Sequence, residues 1–91
     1  MPVQVRLPSI LRGLANTKST VSLEGSTIDE VLAHLVAQHP QLALALFDER
    51  SKRRRHIHLF VDGQDIRALG DGQTPLRDGQ VVEIISAMSG G

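Results

Sequence analysis

The sequence predicts an α+β domain: a mixed sheet of four to five strands packed on one main helix, with a flexible C-terminal tail. Three observations predict it. Four separate segments alternate apolar and polar residues as strands do: Val3-Val5-Leu7, Val21-Leu23, Ile57-Leu59-Val61 and Val82-Ile84. A single long segment repeats apolar residues at helical spacing: Ile28, Val31, Leu32, Leu35 and Val36. The final strand lies almost at the end of the chain, so whatever follows it is a short arm.

Each element has a local reason. Gln4 and Arg6 separate the apolar residues of the first strand, and Pro8 ends it. Gly13 to Lys18 reads as a polar turn, so the first two strands are expected to form a hairpin with a long loop. Gly25-Ser26 breaks the second strand. Thr27-Ile28-Asp29-Glu30 then fits a capping box, with Thr27 accepting from the third helical N–H and Glu30 reaching back. Pro40 stops the helix, and a short second helix is expected from Leu42 to Phe47. Asp48 to His56 is charged and reads as a solvated loop. After the third strand, Asp62-Gly63 is a turn, Gln64 to Ile66 a short strand, and Leu76 a core plug before the Asp78-Gly79 turn. This order of elements satisfies the β-grasp arrangement, a mixed sheet wrapped round a helix. The expected division is a β-grasp domain over residues 1–86 and a tail over residues 87–91.

Composition removes several function classes. Ninety-one residues make one domain with a small core. Ten basic and ten acidic residues give zero formal charge, so no global field draws the protein to nucleic acid or membrane. Phe47 and Phe60 are the only aromatics, too few for a base-stacking platform. Cysteine is absent, which excludes disulfides, thiol catalysis and thiolate metal sites. The opening residues lack a signal pattern and no run is long enough to span a membrane, so a cytoplasmic protein is expected.

The chemistry-bearing stretch is the end of the chain. After Ile85 the residues become small, Ser86-Ala87-Met88-Ser89, and the sequence closes on Gly90-Gly91. Glycine lacks a Cβ and can lie in a slot too narrow for other residues. Glycine is 8 of 91 residues, so two terminal glycines arise by chance about once in a hundred such chains. The alternative is an incidental terminus. Elsewhere, no nucleophile sits in an acid–base constellation, and no catalytic residue is assigned. His56 and His58 lie two apart, on one face of the expected strand, yet lack the further ligands a metal needs; no metal site is assigned. His34 and His39 are expected on the helix surface. Lys52-Arg53-Arg54-Arg55 reads as solvated, with docking to a partner enzyme as the functional alternative. If Ile57, Leu59 and Val61 face the helix, then Phe60 and His58 face outward, and Ile85 does so on the last strand. These three form a candidate partner interface, unless Pro40–Phe47 or a loop covers them.

The whole chain resembles the ubiquitin-like sulfur carriers of the MoaD/ThiS family. The resemblance rests on the Val3-Gln4-Val5-Arg6-Leu7 strand, the Thr27-capped helix, Phe60-Val61-Asp62-Gly63, Leu76-Arg77-Asp78-Gly79 with Val82, and Gly90-Gly91. Pro8-Ser9-Ile10-Leu11-Arg12 and the stretch His56 to Val61 resemble the cysteine-biosynthesis branch. Family tails often hold a proline before the glycines, and Ser86 to Ser89 has none.

The resemblance implies a non-enzymatic sulfur donor. An E1-like adenylating and sulfurtransferase enzyme would use ATP to activate the Gly91 carboxylate. Sulfur would then displace AMP to give a thiocarboxylate for a sulfur-accepting enzyme, cysteine synthase-like or molybdopterin synthase-like. Gly90, Ser89 and Met88 would be read in the activating enzyme's channel. The protein itself would bind no cofactor, and neither nucleic acid nor membrane would be a partner. Two other readings stand beside it. One is the molybdopterin synthase small subunit or another metabolite sulfur donor. The other is a ubiquitin-like modifier forming isopeptide bonds. A plain interaction domain with an incidental diglycine is the remaining class.

Overall fold

The computed structural model describes residues 2–15 and 19–86. The tail positions Met88, Ser89, Gly90 and Gly91 therefore lie outside the described residues. Strand β1 (Val3–Arg6) is followed by helix α1 (Ser9–Ala15), strand β2 (Thr20–Leu23) and the main helix α2 (Ile28–Gln38). A 3-10 turn (Pro40–Leu42) leads into helix α3 (Ala43–Leu46), then strands β3 (Ile57–Val61) and β4 (Gln64–Asp65). Two further 3-10 turns, Ile66–Ala68 and Asp71–Gln73, precede strand β5 (Val81–Ser86).

The sheet has five strands in the order β2-β1-β5-β3-β4. Neighbours β1 and β5 run parallel, and the other pairings are antiparallel. Alternation sorts the side chains cleanly. Val3, Val5, Leu23, Ile57, Leu59, Val61, Val82 and Ile84 are buried. They meet Ile28, Val31, Leu32 and Leu35 of α2 in one core, with Val36 at its margin. The expected apolar stripe is thus the one that packs.

The start of α2 is fixed from both sides. Thr27 Oγ1 accepts from the Glu30 N–H at 3.3 Å. The Glu30 carboxylate reaches back to the N–H of Ser26 at 3.0 Å, one residue further out than in the usual box. Those hydrogen bonds from Ser26 hold the Glu30 carboxyl below its ordinary range. The segment before β5 closes the other side: Ile28 N–H donates to the Thr74 carbonyl and Leu76 N–H to the Ser26 carbonyl. Leu76 is buried, as expected of a plug.

Two expectations change and one holds. The loop between β1 and β2 contains a helix, α1. Its Leu11 and Ala15 are buried, and the Pro8 carbonyl accepts from Leu11 and Arg12 N–H to start it. Ile10, Leu11, Leu14 and Ala15 have helical spacing, but Gly13 in their midst lowers helix propensity and hides the pattern. The short second helix expected from Leu42 to Phe47 is present as α3, with the 3-10 turn that starts at Pro40 ahead of it. Ile66, expected to end a strand, is a core residue in a 3-10 turn capped by Asp65.

Candidate functional site

The site is built on the outer face of the sheet and on the end of β5. Because β5 is a central strand, its last described residue, Ser86, sits opposite Ile57 at the middle of one end of the sheet. Residues 87–91 continue from that point.

On the outer face the register sets the neighbours. His58 lies opposite Ile85, and Phe60 opposite Glu83 on one side and Asp65 on the other. Arg6 also lies opposite Glu83, so one row reads Arg6, Glu83, Phe60, Asp65 across the strands. Phe60 and His58 are half-buried by these neighbours, and Ile85 is 38% exposed. The sequence placed Phe60, His58 and Ile85 on one outward face, and the structure brings the three together. The Pro40–Phe47 segment does not cover them. Leu42 and Leu46 are buried in the core, and the 3-10 turn packs against α1 and α2.

Charge around this patch is ordered. The Arg67 guanidinium grips the Asp65 carboxylate, with Nη2 to Oδ2 at 2.7 Å, and the Arg67 N–H donates to Oδ1 at 2.9 Å. Arg67 therefore holds the Asp65 carboxyl down to about 2. Asp65 stays ionised at the rim of Phe60 throughout the neutral range.

The charged stretch 48–56 is not a uniformly solvated loop. The Asp48 carboxylate accepts from the N–H groups of Arg50 and Lys52 at 2.8 and 3.0 Å. Those bonds hold its carboxyl below the ordinary range. Arg53 pairs with Asp71. Arg54 donates through Nε to the Leu44 carbonyl at 2.6 Å. Lys52 and Arg55 remain exposed. The run is thus split between anchoring and solvent, with Arg53, Arg54 and Arg55 lining a cleft beside His58 and Arg67.

His56 and His58 do not share a face. The strand begins at Ile57, so His56 falls in the preceding turn and lines a groove with Ile10 and Leu14, while His58 is on the outer face. Among the described residues no group of three or more His, Asp or Glu could hold a metal ion. His34 is exposed, with its ring nitrogen against the Glu24 carbonyl, and His39 caps the end of α2. No helix among the described residues is long and apolar enough to cross a membrane.

Sequence reasoning missed what surrounds the end of β5. Ile10 and Leu14 of α1 and Leu44 of α3 are large, apolar and exposed, and they border the groove that Ser86 also lines. The signal was present in the helical spacing of Ile10, Leu11 and Leu14.

Known proteins share this arrangement. The ThiS family model matches residues 5–91. The sulfur carrier protein CysO of Mycobacterium tuberculosis is 33% identical over 93 aligned residues that take in all of both chains. The crystal structure of an Amycolatopsis orientalis BexX/CysO complex contains a chain with a TM-score of 0.86 and 29% identity, covering 98% of this chain and 99% of that one. The small archaeal modifier protein 1 of Methanosarcina acetivorans gives 0.85 and 31%, covering 99% and 96%. With the β-grasp sheet, the capped helix and the match running from Val5 to the final glycine, this chain belongs to the ThiS family.

Proposed function

We propose that the protein is a sulfur carrier of the CysO type, whose working group is the carboxylate of Gly91. The observation that carries this reading is the diglycine that closes the arm after the central strand, in a ThiS-family chain that aligns end to end with a sulfur carrier. A carboxylate resists nucleophiles because of its charge. Its oxygen attacks the α-phosphorus of ATP in an E1-like enzyme, pyrophosphate leaves, and an acyl adenylate forms. A sulfide-level nucleophile then displaces AMP to leave a thiocarboxylate, whose sulfur attacks an activated substrate in a second enzyme; hydrolysis of the resulting thioester releases the sulfur-bearing product and returns the Gly91 carboxylate. Cysteine is the favoured product, since the matching relatives are CysO proteins. The carrier contributes reach and recognition, with Phe60, Ile85 and His58 as part of its contact surface. It needs no general base of its own.

A side chain at position 90 or 91 widens the arm and pushes the carbonyl out of attack geometry. Gly91→Ala is expected to cut ATP-dependent pyrophosphate release sharply while leaving the thermal melt unchanged. A normal rate of release from that variant overturns the role given to Gly91. The similarity to small archaeal modifier protein 1 supports a second reading, conjugation to lysine. Intact-mass spectrometry of protein from its native cells separates the two. An exchange of oxygen for sulfur on the C-terminal fragment supports the carrier, and Gly91 joined to a lysine supports the modifier.

A further inference from the structure

The end of the sheet carries an apolar surface that the outer face does not include. Ile10 and Leu14 come from α1, and Leu44 from α3, segments about thirty residues apart in sequence. They are 52%, 48% and 70% exposed. With Leu11, Ala45 and Ser86 they frame a groove of about 210 Å³. A solvated surface has no need of three large aliphatic side chains gathered in one place. The groove is also held in shape: the Leu44 carbonyl accepts from Arg54 Nε, Leu11 in its lining is buried, and Leu42 and Leu46, either side of Leu44 in sequence, are core residues.

The other flank of Ser86 is polar. Arg12 of α1 lines a cleft there with Arg6, Glu83, Ile85 and Ser86. Its Nε is buried and has no hydrogen-bond partner among the described residues. A buried guanidinium N–H without an acceptor is costly, and a carboxylate is the acceptor whose planar geometry suits it. Through Ile85 this cleft continues into the Phe60 and His58 patch. The contact surface thus wraps round the point where β5 ends.

What covers it follows from reach. Residues 87–91 span at most about 17 Å when fully extended. An enzyme that holds the Gly91 carboxylate in its active site must therefore press its own surface against the end of the sheet. We propose that the adenylating enzyme docks on this end surface as well as on the outer face, seating an apolar ridge against Ile10, Leu14 and Leu44 and setting a carboxylate beside Arg12. The proposal rests on the carrier reading and adds a second half to its interface. Helix α1 thereby serves both flanks of Ser86, presenting the aliphatic groove on one side and the cation on the other.

The test is steady-state pyrophosphate release with the full-length chain and the adenylating enzyme of the same cells. Leu44→Asp and Ile10→Asp place charge on exposed positions and are expected to keep the wild-type melt. Each is expected to raise the KM for the carrier at least tenfold with kcat retained. Arg12→Gln is expected to raise KM several-fold and to weaken its dependence on salt. Unchanged KM in both aspartate variants overturns the proposal. So does a rate that rises, which would mean that the tail itself occupies the groove. A wild-type dimer that Leu44→Asp converts to monomer overturns it too, since the face then belongs to a second copy. Removal of Gly90 and Gly91 is run alongside: turnover surviving that deletion defeats the carrier reading, whereas loss of turnover with normal aspartate variants defeats only the end surface.

Discussion

At the scale of single residues, turn chemistry and close approach decide most. Asp62 and Gly63 have φ of 49° and 87°, the left-handed pair of a type I′ turn that joins Val61 to Gln64. Gly79, at φ 84°, holds the turn before β5 with its N–H on the Pro2 carbonyl. Both turns were legible because Asp-Gly is a strong short signal of its kind. The role of Gly25 was not, since it depends on a neighbour in another element. A Cβ there would stand 2.6 Å from Val31 Cγ2 and 3.0 Å from the Val31 backbone nitrogen. Gly25→Ala is therefore expected to lower stability by about 1–3 kcal/mol in urea denaturation, as overpacking does; an unchanged midpoint would contradict this contact. Asp65 makes a pH-dependent contribution. Its folded value, near 2, lies below the ordinary 3.8, so its stabilisation is complete above the higher figure and is lost as pH falls toward the lower. In Asp65→Asn, stability should depend less steeply on pH between about 4 and 2; an unaltered slope would assign the acid response to Glu30 or Asp48 instead.

At the scale of elements, α2 was readable in full and α1 was not. The stripe on α2 is long enough for its period to stand out, and its cap is written in adjacent residues. Thr27→Ala removes the acceptor for the Glu30 N–H and is expected to cost about 1 kcal/mol. A shifted denaturation midpoint at constant slope would register it. Helix α1 spans seven residues with a glycine inside. So short a helix owes its stability to packing rather than to propensity. Leu11 and Ala15 supply that packing, together with the 3-10 turn that α1 meets. The charged segment 48–56 follows the same rule. Composition says only that it is polar. Its anchors at Asp71, Leu44 and Leu46 belong to other elements, and so the ordered course of Arg53 and Arg54 had no local mark.

At the scale of the whole molecule, the sheet order turns an ordinary terminal strand into a platform. β5 is flanked by β1 and β3: β1 pairs with it over Val81–Glu83, and β3 pairs with it as far as Ser86, which fixes the root of the tail. The same register gathers Phe60, His58 and Ile85 on the face turned away from α2. If the protein acts as the proposed carrier, Phe60→Asp is expected to weaken binding of its adenylating enzyme by tenfold or more, read as KM, with the far-UV spectrum and melt retained. Phe60 is half-buried, so loss of the folded state in that variant would show that the ring is part of the core.

The sequence by itself determined the class of fold, the main helix with its cap, the inner and outer faces of the strands and the diglycine, because each is encoded in the period or chemistry of neighbouring residues. Only the tertiary structure decided that α1 exists, that His56 and His58 part company, and that Ile10, Leu14, Leu44 and Arg12 meet around Ser86. Those outcomes depend on contacts between residues far apart along the chain: the helical spacing in α1 is too short and too interrupted by Gly13 to stand out without them, and the other meetings leave no period for a sequence to display.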